Sequence, residues 1–257
     1  MIDYCTYCSS PNFVLNGRDK KRVQRYKCND CKKRFCEKGI FARMRTPKNI
    51  IMNALYLRSY TLSLRDVKRV IKKLKFYKTT HVSVYNWIMK FYPKLSEIEK
   101  KKPINFTNIW HVDEKFIRVR KCKDDFAYLW VVSDSDSNII AVDVSNGRDA
   151  ESAKTVLRKA RERTGFNPRV IVTDGLQGYK SATKIFGRNV RHVIAHFEKK
   201  GVVIDKKILL LSNNKIERIN GFFALWLHVC RGLKSFKTAN IWIDFFAMHY
   251  NYLMPHG

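Results

Sequence analysis

Four cysteines near the start of the chain limit its folding more than any other feature. Cys5-x-x-Cys8 is followed, after 19 intervening residues, by Cys28-x-x-Cys31. Each pair can turn two thiolates inward through a tight knuckle, and two knuckles complete the sulfur tetrahedron that a structural Zn²⁺ prefers. With all four positions filled by soft thiolates, one such ion would be structural, with no open position for chemistry. A module of about 35 residues buries too little apolar surface to fold alone, so the metal would supply most of its folding energy. Seven cysteines in all, at 5, 8, 28, 31, 36, 122 and 230, make an odd set. With no basic-then-apolar leader at the N-terminus, this argues against a disulfide framework. Residues 1–40 therefore read as a zinc ribbon, with strands at Phe13–Leu15 and Val23–Tyr26 around an Asn16-Gly17 turn. Cys36 is expected outside the coordination sphere, and Cys122 and Cys230 as packing residues.

Charge indicates the partner. The chain carries 51 Lys and Arg against 22 Asp and Glu, a net +29, and residues 1–102 hold 26 basic and 7 acidic side chains. Such an excess opposes compaction and suits a polyanion, here double-stranded DNA, held most tightly by the N-terminal part. No apolar run approaches the 18 or so residues of a membrane span, so no membrane partner is expected. A cytoplasmic, nucleoid-associated protein is expected.

Residues 44–95 read as helical. Pro47 opens a helix carrying Ile50, Ile51, Ala54 and Leu55, and a second stretch runs Leu64, Val67, Val70, Ile71, Leu74. After a break, Val82, Val84, Tyr85, Trp87, Ile88 and Phe91 recur as a third periodic stretch. A helix-turn-helix fits this pattern, as does a plain helical bundle. In the former, Lys72 and Lys73 would meet the DNA backbone, and Ser83, Tyr85, Asn86 and Lys90 would reach bases or phosphates. The charged stretch Glu97–Pro103 reads as a linker.

From residue 104 the pattern becomes α/β. Ile109–Asp113, Phe126–Val132 and Ile139–Val144 read as a meander, and Asp149 caps a helix that Gly165 and Pro168 close. Val170–Thr173 is a short β-branched strand ending at Asp174, followed by a helix at 176–186 and a strand at 190–195. Three meandering strands, then helix, strand, helix, strand, make a mixed sheet of ribonuclease H type over 104–257. If the first and fourth strands are neighbours, Asp113 and Asp174 meet at one sheet edge. Adjacent carboxylates repel unless protonated or neutralised, and a hard divalent cation with oxygen ligands does the latter. Glu217, following Asn213-Asn214-Lys215-Ile216, would project from the first turns of a helix. Glu114 points to the opposite side of its strand and reads as a supporting or surface group. His111, His192 and His196 lack zinc spacing with a carboxylate and read as satisfied core or DNA-facing histidines.

At these residues the chain resembles a family, the DDE transposases of prokaryotic insertion sequences, in particular archaeal members of the group allied to the IS-six-type elements. The resemblance runs through Tyr26–Cys31, Trp110–Glu114, Val172–Gly175, Asn213–Arg218, Arg231–Phe236 and His249–Tyr252. It implies that Asp113, Asp174 and Glu217 form a catalytic triad holding two Mg²⁺ or Mn²⁺ ions. These would cut DNA at the element ends and direct the freed 3′-hydroxyl into target DNA. It also implies a homodimer or higher oligomer on DNA. Two departures stand out: 42 residues separate Asp174 from Glu217, suggesting an insertion at 196–211, and position 224 is Ala where relatives carry a basic residue. Arg231 and Lys234 are the candidates for that phosphate contact. The alternative is a non-catalytic DNA-binding regulator, or an inactive truncated remnant, against which the three intact acids speak.

Overall fold

The computed structural model describes residues 2–20, 22–36, 39–41, 44–74, 77–99, 104–120, 125–195, 200–204, 207–230 and 233–254. At the N-terminus, β1 (Phe13–Arg18), β2 (Gln24–Cys28) and β3 (Arg34–Cys36) form an antiparallel sheet in that order. Asn16-Gly17 is not the turn. Gly17 lies inside β1 with φ +64°, where the β1–β2 register shifts between Leu15 and Arg18. A glycine at positive φ accommodates the extra residue of such a bulge without a Cβ clash. The turn comes later, where Asp19 Oδ1 accepts the Val23 N–H. The rings of Phe13, Tyr26 and Phe35 pack together beside buried Cys5 and Cys28, and this is the module's small core.

Three helices follow, α1 (Lys48–Ser59), α2 (Leu64–Lys73) and α3 (His81–Glu99). Ser63 caps α2 by accepting the Asp66 N–H, which places Val67 and Ile71 inward. Of the expected apolar set, Val84, Trp87, Ile88 and Phe91 form the buried face of α3, whereas Val82, in its first turn, is exposed and Tyr85 is partly covered. The helix does not end near 95, however. It runs through Pro93 to Glu99, into the stretch expected as a linker, whose residues 100–103 lie outside those described. Proline costs an interior helix a hydrogen bond, and tertiary packing offsets it. Tyr92 is buried with its ring stacked on Phe245, and Ser96 is buried one turn on.

The remaining chain builds a five-stranded sheet in the order β6 (Ile139–Ser145), β5 (Phe126–Asp134), β4 (Ile109–Arg118), β7 (Val170–Thr173), β8 (Arg191–Ile194). β4, β5 and β6 are antiparallel, and β7 and β8 run parallel to β4. This is the ribonuclease H topology expected from the element order. Both sheet faces are covered, so the central strands alternate between two cores. Trp110, Val112, Trp130, Val132 and Ile140 pack against α4 (Ala150–Thr164) and Tyr179 of α5 (Gln177–Ala182). Ile117, Leu129 and Val131 face the other way. They share a continuous core with α1–α3, α6 (Asn214–Cys230) and α7 (Phe236–Leu253), including Trp226, Trp242, Phe245 and Phe246. The N-terminal helices are therefore seated on the back of the sheet, on a common core. Asp149 caps α4 by accepting the Ser152 N–H, and Gly165 closes it at φ +77°.

Within the stretch read as an insertion, β9 (Lys200–Ile204) and β10 (Lys207–Leu211) pair as an antiparallel hairpin. Val202 and Leu211 pack on Val170, Val172 and Val193, so the hairpin covers the β7–β8 end of the sheet. Residues 196–199 and 205–206 of that stretch lie outside those described. Among the described residues, no helix is long and apolar enough to cross a membrane.

Candidate active site

The parallel register Ile109↔Val170, Trp110↔Ile171, His111↔Val172 carries forward to set Asp113 beside Asp174. Asp174 is the first residue beyond the end of β7, and its Oδ1 accepts the Leu176 N–H. One carboxylate oxygen each from Asp113, Glu114 and Asp174 falls within 4.8 Å of the others. Glu217 is exposed in the first turn of α6 and is not part of that compact group, although α6 packs against β4 and its charge reaches Asp113. The structure thus brings the two expected aspartates together, with Glu217 nearby and Glu114 closer than the sequence suggests.

Asp113 is buried, at 6% exposure. Burial first, then the negative charges of Glu114, Glu217 and Asp174, push its carboxyl up to about 7. A group in that position resists ionising until a cation arrives. Hard oxygen donors gathered at mutual electrostatic cost fit Mg²⁺ or Mn²⁺, which take one or two carboxylates and leave other positions for phosphate oxygens. Asp113, Asp174 and Glu217 could hold such ions.

Two partners of the acids are not legible in the sequence. Asn220, one helical turn beyond Glu217, donates its Nδ2–H to Asp113 Oδ2 at 2.6 Å, with both residues buried. Its only sequence signal is the three-residue offset from Glu217, which places it on a neighbouring helix face. The second partner is Arg148, in the loop between β6 and α4. It donates to Glu114 through Nε at 2.6 Å and through Nη2, and Nη2 also lies 3.9 Å from Asp174 Oδ2. Glu114 does face the opposite side of β4 from Asp113, as strand alternation requires. It is not a surface group: its side chain is 2% exposed and also accepts from the Tyr179 hydroxyl. His111 is buried, and burial together with the Lys215 ammonium lowers its ring to about 4, keeping it neutral. His192 is half-buried and bonded to the Thr173 hydroxyl.

At the N-terminus, Cys5 Sγ lies 3.7 Å from Cys31 Sγ, and Cys8 Sγ 3.5 Å from Cys28 Sγ. All four sulfurs fall within 4.8 Å of one another, and Cys36 is outside the group. A tetrahedron with Zn–S bonds of about 2.3 Å has edges of about 3.8 Å, so the donor set and its spacing suit Zn²⁺.

Six of the residues expected to meet DNA lie on the N-terminal helices. Lys72 and Lys73 are exposed at the end of α2, Asn86 and Lys90 are exposed on α3, and Ser83 and Tyr85 are partly covered. Lys234, from the segment before α7, places its ammonium over the Tyr85 ring at 5.6 Å, joining two of these expected residues. Lys90 is bonded to Met44 Sδ. Arg231 lies outside the described residues.

The sheet order and the acids on β4 and just beyond β7 define a class, the ribonuclease H-type α/β cores with a carboxylate cluster on neighbouring central strands. Within that class, residues 107–253 match the DDE domain family of the IS240 transposases, and the chain belongs to this family. Similar curated proteins include the transposase for insertion sequence-like element IS431mec of Staphylococcus aureus strain N315. It is 29% identical over 137 residues, 52% of this chain and 58% of the relative. The transposase for insertion sequence element IS257 in transposon Tn4003, also from Staphylococcus aureus, is 28% identical over the same shares. The chain spans just over half the length of these relatives. Among solved structures, the HTLV-2 integrase catalytic core domain in complex with magnesium matches at TM-score 0.40 and 17% identity, over 59% of this chain and 90% of that one. The catalytic domain of Mos1 mariner transposase matches at TM-score 0.36 and 12% identity, over 64% and 86%. Both structural likenesses are distant.

Proposed function

We propose that this protein is an insertion-sequence transposase, allied to the IS-six-type elements, that binds the ends of its element and performs metal-dependent DNA cleavage and strand transfer. The observation that carries this reading is Asp113, buried against Asp174 and raised to about 7 by burial and its acidic neighbours. Among the described residues, no protein cation pairs with it directly. The relatives found are staphylococcal, and an archaeal origin is not adopted.

Asp113, Asp174 and Glu217 are the residues that would hold divalent metal. Bound there, two ions supply nucleophile activation and stabilisation of the leaving oxygen. Asn220 fixes one oxygen of Asp113. The Leu176 N–H holds Asp174 in the same way. Glu217, exposed at the start of α6, can approach from the DNA side without breaking a buried contact. Cys5, Cys8, Cys28 and Cys31 would hold one structural Zn²⁺. The helix-turn-helix of 44–95 would read the element end with Ser83, Tyr85, Asn86 and Lys90, and Lys72, Lys73, Lys234 and Arg231 would meet phosphates. Joining two ends calls for at least two catalytic cores, hence a homodimer or higher oligomer on double-stranded DNA.

Lys72 and Lys73 provide one check. Replacing both with Ala in the full chain should lower duplex affinity regardless of sequence. It should also flatten the salt dependence by about 0.9 in log–log slope for each phosphate that is no longer neutralised. An unchanged slope in a binding titration would assign the phosphate-binding role to other residues. The test of the function is strand joining. A labelled duplex from the DNA flanking the gene, with a free 3′-hydroxyl, is incubated with plasmid and Mg²⁺ or Mn²⁺. Joined product is expected from the wild type; end binding with no joining under any condition would favour the non-catalytic regulator.

A further inference from the structure

Arg148 is held too firmly for a surface arginine. Trp130, buried in β5, donates its indole N–H to Ser145 Oγ, and Ser145 donates to the Gly147 carbonyl. Asp149 on the other side is committed to capping α4. A Cβ on Gly147 would meet Asp149 Oδ2 at 2.6 Å, so a side chain there would displace the capping carboxylate. The guanidinium itself is gripped by Glu114, whose second oxygen is bonded to Tyr179, so β4, α5 and the β6–α4 loop all fix it. Its side chain is still 46% exposed, and Nη1 makes no hydrogen bond among the described residues.

A buried carboxylate that only needed neutralising would be served by any cation. Here the planar fork is turned so that its Nε–Nη2 edge meets Glu114, the same Nη2 stands 3.9 Å from Asp174 Oδ2, and Nη1 is left over as a donor beside the acid cluster. Guanidinium groups present donors matched to carboxylate and phosphate oxygens, and a preorganised one loses little entropy on binding. We propose that Arg148 is a phosphate-binding residue of the cleavage site: aimed by Glu114 and Tyr179, it takes a non-bridging oxygen of the DNA phosphate seated at Asp113 and Asp174. This rests on the transposase reading and deepens it. Glu114 is then a positioning residue for Arg148 and not a metal ligand, although its oxygen lies among those of the aspartates.

The experiment uses the full chain and a duplex from the DNA flanking the gene, carrying a neutral methylphosphonate at one position at a time around the cut. Arg148→Ala should reduce cleavage about a hundredfold, as loss of one preorganised donor does. Binding of Mn²⁺ alone should be unchanged or tighter, since a positive charge beside Asp174 has gone. At one phosphate, the methylphosphonate should impair the wild type strongly and Arg148→Ala much less. Because Arg148→Ala leaves Glu114 buried and unpaired, the pair Arg148→Ala with Glu114→Gln is measured alongside, with the same expectation. Arg148 is overturned if the wild type cuts and either variant cuts equally well. It is also overturned if methylphosphonate penalties are the same in both at every position, or if Mn²⁺ binding is lost, since the arginine would then only brace the acids. A wild type that cuts no duplex with either metal overturns the transposase reading, and Arg148 with it.

Discussion

Cys28→Ser is expected to release about one zinc ion per chain and to unfold the segment up to residue 36 while the helices and the five-stranded sheet stay folded. The module's apolar core is confined to Cys5, Cys28 and Phe35 with Phe13, Tyr26 and a few partly buried neighbours. Removing one thiolate leaves three ligands for an ion whose binding supplies about 10–16 kcal/mol in comparable small domains. That exceeds what such a core contributes, so β1–β3 should lose amide protection together. The rest should hold, because α1–α3 share their core with the sheet and not with the ribbon. Metal analysis and hydrogen exchange check both halves. Protein prepared without chelator and containing no zinc would remove the ribbon reading.

The second large effect comes from Asp113→Asn, and its two consequences have opposite signs. Cleavage should fall by orders of magnitude, because the buried carboxylate beside Asp174 is lost while the side chain's shape is kept. Stability without added divalent metal should rise. The folded carboxyl is raised above its unfolded value, so its contribution to stability is fully present below about pH 4 and is lost as pH climbs toward 7. A shift from 3.8 to about 7 corresponds to about 4 kcal/mol at alkaline pH. Asn cannot ionise, and its Oδ1 can still accept from Asn220, so the variant should melt higher than wild type above pH 7 and similarly near pH 4. Equal melting temperatures at both pH values would mean that Asp113 is not held under electrostatic cost.

The skeleton of the site is legible in the sequence because it follows from local rules. Period-two alternation and β-branched runs locate β4 and β7, although β4 does not end at Asp113 but runs on to Arg118; the acid within one strand meets the acid just beyond the other once they pair in parallel. Asp149 and Gly165 mark α4 by their capping chemistry alone. What cannot be read depends on groups distant in sequence. Nothing near Asn220 reveals that it will meet Asp113, 107 positions away. Strand alternation turns Glu114 to the other face, but only the folded chain shows that face closed over by Tyr179 and Arg148. The charges from Glu97 onward suggest a linker, and packing of Tyr92 on Phe245 with burial of Ser96 carries the helix into them. Asn16-Gly17 suggests a turn where Gly17 serves a bulge, since both uses need positive φ.

The central claim is that Asp113 within β4 and Asp174 just beyond β7 hold the metal that cuts DNA, and one assay reaches it directly. A duplex from the DNA flanking the gene is incubated with Mg²⁺ and either wild type or Asp174→Asn, with binding measured in parallel. Expected are cleavage by the wild type and binding with cleavage reduced by orders of magnitude in Asp174→Asn. Cutting by Asp174→Asn at the wild-type rate would contradict the claim.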